Sequence, residues 1–147
     1  MRTLALLFLL PVSATLLAQE PASPPPIRPV GTMSELMIDV IYPTSDAFFY
    51  IERGVPKNQA EWNTLQGKAL MLAESANLLM MGSRARDQDK WMKDAKLMLD
   101  AGTALFKTAK AKDVEALTAL NDQLYTSCVT CHRDYRSNYG RRPPEPK

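Results

Sequence analysis

An all-α fold, an antiparallel up-down-up-down four-helix bundle, is predicted by three observations. Apolar residues recur at steps of three and four through four successive segments, the connections between them are short, and no stretch alternates as a strand would. All four segments fall between Thr32 and Gly140, enough chain for one small domain with one core.

In the first segment Met33, Met37, Val40 or Ile41, Thr44, Phe48 and Ile51 keep the helical spacing, and Gly54 is a plausible stop. Pro43 interrupts it. Its ring removes a backbone donor and clashes with the preceding turn, so a kink or a short break into two helices is expected there. The second segment has the clearest start: Asn58 caps it, and Glu61 is placed to reach back and close a capping box. From there Trp62, Leu65, Ala69, Leu72, Ala76 and Leu79 form a bundle-facing stripe that ends at Gly82.

A polar turn, residues 83–89, leads to a third segment with the stripe Trp91, Ala95, Met98, Gly102, Leu105 and Ala109. Lys107, Lys110 and Lys112 crowd its end, where cations oppose the negative pole of the helix dipole. A docking patch for a redox partner is the functional alternative for the same cluster. The fourth segment begins near Asp113 and carries Val114, Leu117, Leu120, Leu124, Cys128, Cys131 and Tyr135 on its stripe.

Before the first helix, residues 1–18 read as a secretory signal peptide. Arg2 gives a short positive start, an apolar stretch runs from Leu4 to Leu17, and Ala18 suits the residue before a cut at Gln19. The apolar run is too short and broken for a transmembrane helix, so a membrane association is expected only if the signal stays uncleaved. Residues 19–31, with five prolines, read as an extended polyproline-like leader, and residues 141–147 as a tail. Loss of the signal takes Arg2 with it and lowers the formal charge from +2 to +1, a near balance that argues against a nucleic-acid binder.

Function is concentrated in Cys128-Val129-Thr130-Cys131-His132. C-x-x-C-H supplies two thiols able to form thioethers with one porphyrin edge, and a histidine beside the second to reach the iron; it is the pattern of haem c attachment. Structural zinc usually takes four Cys or His ligands, and these three are the only Cys and His residues in the chain. A thioredoxin-like dithiol belongs at a helix N-terminus beside a βαβ pattern, which this helical chain lacks. A simple C-x-x-C disulfide stays open. The two cysteines occupy the inward stripe of the fourth helix, which places one haem c near the C-terminal end of that helix.

A single four-helix domain with C-x-x-C-H near its end, continued here as Arg133-Asp134-Tyr135-Arg136, resembles the class II c-type cytochromes, the cytochrome c′ group. The resemblance covers residues 32–140. It implies a periplasmic haem protein, often a homodimer, active in electron transfer or in binding small gases such as NO. It also implies that Cys128 and Cys131 carry the haem, that His132 is the proximal ligand, and that Arg136 lies near the haem propionates or the histidine.

One departure bears on the distal side. Many cytochromes c′ carry an Arg-Gln pair in the first helix beside an open iron. Here that region reads Thr32-Met33-Ser34-Glu35-Leu36-Met37-Ile38-Asp39, which resembles the low-spin members whose iron is closed by a methionine. In the predicted topology the start of helix one shares an end of the bundle with His132. Met71 lies eleven residues before the end of helix two, about 16 Å away at 1.5 Å per residue. Met33, Met37, Met80, Met81 and Met92 remain at the right level. Met33 is expected to fray at the helix start, which leaves Met37, one turn in, as the distal ligand and Met33 as second choice; packing is the competing role for Met37. A His132/Met37 haem is a one-electron carrier working with redox partner proteins. A five-coordinate haem beside Leu36, Val40 and Phe48 would instead bind NO or CO. Catalysis is not expected, because no second histidine is present to act as distal acid or base.

Overall fold

The computed structural model describes residues 27–136 and 138–140. The predicted signal peptide, most of the proline-rich leader and the tail lie outside them. Within this span the fold is all-helical, with four helices packed together.

Residues 27–32 carry no helix or strand, and Ile27 and Val30 are exposed. Helix one then starts on a full capping box. Thr32 Oγ accepts from the Glu35 amide at 3.2 Å while the Glu35 carboxylate accepts from the Thr32 amide at 2.7 Å. Met33 therefore stands in a capped turn, not a frayed one. The helical backbone is continuous to Phe49 but changes type: α1 (Met33–Glu35), a π-helical turn (Leu36–Ile41), then α2 (Tyr42–Phe49). Pro43 thus sits behind a widened turn, not at a break between two helices. A short 3₁₀ turn, Ile51–Arg53, follows and ends at Gly54.

Helix two is α3 (Gln59–Leu79). Asn58 caps it, accepting from the Glu61 amide at 3.0 Å, but Glu61 reaches one residue further back than expected and accepts from the Lys57 amide at 2.7 Å. Met80 closes it, three residues before Ser83. Helix three is α4 (Lys90–Ala111), which ends on Lys112 in the left-handed region at φ 58°. The fourth helix starts on the Asp113 cap and is divided at Leu120 into α5 (Val114–Ala119) and α6 (Asn121–Tyr135), a division that no residue spacing signals.

All six predicted stripe residues of α3 and all six of α4 are buried. These two helices form the most extensive pair in the fold, with α6 packed on α4 and α2 on α3. Gly102 lets them close: a Cβ built there would lie 2.8 Å from the Ala73 backbone nitrogen and Cα. Phe48, Leu72, Leu105, Leu117 and Leu124 are fully buried at the centre. Each contributes roughly 1.5–3 kcal/mol relative to an exposed side chain, which offsets the cost of ordering the chain.

Candidate haem site

The last turns of α6 bring Cys128, Cys131 and His132 to one side, because steps of three and four keep residues on one helix face. All three are half-buried, and both thiols are free. Opposite them stand the π turn and α1. Two cavities meet there. The larger, about 400 Å³, is bordered by Met33, Met37, Arg86, Cys131, His132 and Arg136 among others. The smaller, about 40 Å³, is bordered by Met37, Asp94, Met98, Cys128, Cys131 and His132 among others. Each site residue expected from the sequence, Cys128, Cys131, His132, Met37, Met33 and Arg136, therefore borders one cavity or both.

The other expected distal residues do not. Leu36 and Phe48 are buried in the core, Val40 packs against it, and none of the three borders either cavity. Met80 and Met92 also pack on the core, while the Met81 sulfur accepts from Arg84 Nη1 at 3.4 Å. Met37 differs from expectation in its phase: it is Leu36 that shares the fully buried face with Ile41, and Met37 is half-buried beside it.

Burial pushes the Cys128 thiol up and the Cys131 thiol to about 11, with the Asp94 and Asp134 carboxylates adding to the second. The upward direction disfavours the thiolate, unlike the setting of a low-pKa redox dithiol. Burial, and then the nearby Arg136 guanidinium, push the His132 imidazole below its ordinary value, which favours the neutral, ligating form. The His132 ring lies edge-on to Tyr139 with centroids 5.2 Å apart.

Tyr135 closes one wall. It packs edge-on against Trp91 with centroids 4.9 Å apart, and its hydroxyl donates to the Asp87 carboxylate. That carboxylate also accepts from the Trp91 amide at 3.0 Å, so the turn before α4, the start of α4 and the end of α6 are tied together. Trp91 donates its indole proton to the Leu79 carbonyl at 2.8 Å, capping the end of α3.

Two residues of the site escape the sequence reading. Asp94 is buried, and its Oδ2 makes no hydrogen bond. Lys90 is 3.5 Å from that oxygen, a long ion pair, with its ammonium also held by Asp134. An acid between Trp91 and Met98 on an apolar stripe was the available signal. Arg86 lies in the polar turn, where no periodicity marks a residue as facing a cavity.

A disulfide would join the two thiols, and here they are separate. Among the described residues no group of three or more His, Cys, Asp or Glu could hold a metal ion. Met33, Met37, Cys131, His132, Arg86 and Arg136 border the larger cavity and Cys128 the smaller, a set of two thiols, an imidazole, two thioethers and two guanidiniums that a planar apolar ring with an iron centre would fit. No family model, curated protein or solved structure matches this chain.

Proposed function

We propose that this chain is a c-type cytochrome of the class II kind, an up-down-up-down bundle that carries one covalent haem c and transfers single electrons. The observation that carries the reading is the placement of His132 and Met37 on the same two cavities, beside Cys131 and, in the smaller one, Cys128. Cys128 and Cys131 would hold the haem by thioethers, His132 would be the proximal ligand and Met37 the distal one. When bound, haem c supplies an iron centre that cycles between two oxidation states, and a thioether ligand raises its potential.

The chain's own residues serve that role by restraint. The half-buried setting of His132 keeps its ring neutral, while the ties from Asp87 to Tyr135 and Trp91 hold the end of α6 against α4. Arg86 and Arg136 offer positive charge at the larger cavity, where anionic propionates would be stabilised. Export by the N-terminal signal would place the protein in the periplasm, where redox partner proteins would meet it.

The alternative is a five-coordinate haem protein that binds NO or CO. It is the weaker reading because two methionines border the cavity facing His132, while Leu36 and Phe48, which would give an apolar distal pocket, belong to the core. Optical spectra of the purified holoprotein, oxidised and reduced, with and without CO, decide between them. A low-spin spectrum indifferent to CO is expected for the carrier; a high-spin spectrum with ready CO uptake makes the protein a gas binder.

A further inference from the structure

Burial along the first helix steps by three and four from Ile41 through Thr44, Phe48 and Ile51, but by five from Leu36 to Ile41. Five is the step of a π turn. Leu36–Ile41 is π-helical, and the Tyr42 amide donates to the Met37 carbonyl five residues back.

The cause lies just beyond the turn. An α-turn ending on Pro43 would press the pyrrolidine ring onto the Asp39 carbonyl and leave that carbonyl without a donor; a wider turn relieves both. Two hydroxyls then serve carbonyls around the turn. Thr44 donates to the Val40 carbonyl at 2.7 Å and to the Ile41 carbonyl at 2.9 Å, and Ser45 donates to the Tyr42 carbonyl at 3.0 Å.

The π turn sets the phase of everything upstream. Ile41, Thr44 and Phe48 anchor the later half of the helix in the core. If the whole helix were α, the residues before the turn would be rotated by about 100°, the angular step of one residue. Leu36 would leave the core, and Met37 would leave the flank on which it borders the His132 cavities.

We infer that Pro43 is a positioning residue, which by imposing the π turn over Leu36–Ile41 turns Met33 and Met37 toward His132 and seats Leu36 in the core. The functional meaning of this inference rests on the His132/Met37 reading; the phase itself does not.

The test compares the unaltered holoprotein with its variants. Pro43→Ala lets the helix return to α, so its spectrum moves from low-spin toward the high-spin form that Met37→Ala gives, and ferrous CO binding emerges. Deleting Ile38, which is 63% exposed, on top of Pro43→Ala removes the extra residue. A plain α-helix then has the phase of the original π turn, and the low-spin spectrum returns. In parallel, Leu36→Ala lowers the thermal midpoint of the unaltered protein and has much less effect in the Pro43→Ala background.

A Pro43→Ala protein that keeps the low-spin spectrum and the full cost of Leu36→Ala overturns the inference. If Pro43→Ala fails to fold, the shortened variant decides: recovery of fold and spectrum supports the inference, and continued failure overturns it. If the unaltered holoprotein is already high-spin, the ligand reading of Met37 falls by itself, and the Leu36→Ala comparison still settles the phase.

Discussion

Between α3 and α4 the helices close to backbone contact at Gly102 and Ala73, whereas at the end of α6 they stand apart around a cavity of about 400 Å³. The first region is packed on large and small side chains, with a hydrogen bond at each end, from the Trp91 indole to the Leu79 carbonyl and from Gln66 Nε2 to the Ala109 carbonyl. The second mixes thiols, an imidazole, thioethers, two arginines and a buried acid. Protein interiors are normally filled to crystal-like density, so stability resides in the α3–α4 seam, and the gap is where chemistry has been given room.

The largest way to break the contrast is to remove the cysteines. Cys128→Ala with Cys131→Ala is expected to leave no haem that resists extraction by acidified organic solvent. The double variant should also melt well below the holoprotein, because an occupant that binds only the folded state stabilises it. Non-extractable haem in that variant would end the haem c reading.

Gly102→Ala attacks the other region. The new Cβ meets Ala73 backbone atoms that cannot yield as a flexible side chain would, so α3 and α4 must separate. A loss of about 1–3 kcal/mol is expected for this overpacking, read by denaturant unfolding. The spectrum of any bound haem should hardly change, since neither Gly102 nor Ala73 borders the cavities. A stability equal to the unaltered protein's would mean that the helices are not so tightly closed.

Finer still is the choice between the two methionines. Met37→Ala should convert a low-spin spectrum to high-spin and admit CO, while Met33→Ala should leave it nearly unchanged, because Met37 borders both cavities and Met33 only the larger. Equal effects from both variants would make the pair interchangeable.

The smallest expected effect is a pH dependence at the rim. Hydrogen bonds from the Tyr135 hydroxyl, and then the Trp91 amide, hold the Asp87 carboxyl below its ordinary 3.8. The unfolded chain therefore binds the proton first as acid is added, and Asp87 adds stability that is present above about pH 4 and lost as pH falls through its lowered value. Asp87→Asn should flatten that acid limb of the stability curve. An unchanged limb would show that the tie to Tyr135 carries no stability.

The sequence made the packed region legible almost in full. Trp62 to Leu79 and Trp91 to Ala109 are buried in the predicted pattern because nothing disturbs the 3.6-residue period that spacing arguments assume. The same argument puts Met37 on the face of Ile41 and leaves Leu36 off it, since spacing alone predicts a kink or a break at Pro43 and not a five-residue step. Cys128, Cys131 and His132 were marked by their motif. Asp94 was signalled by an acid on an apolar stripe, whereas Arg86 could be seen only once the fold had brought its turn to the larger cavity.

The buried hydrogen bond from the Trp91 indole to the Leu79 carbonyl has a kinetic consequence. That proton can exchange with solvent only when the end of α3 parts from the start of α4, the opening that would also loosen the wall formed by Trp91 and Tyr135. A single resolved indole resonance followed in deuterated water thus times how often this end of the bundle opens, with the amides beside Gly102 as the slow reference.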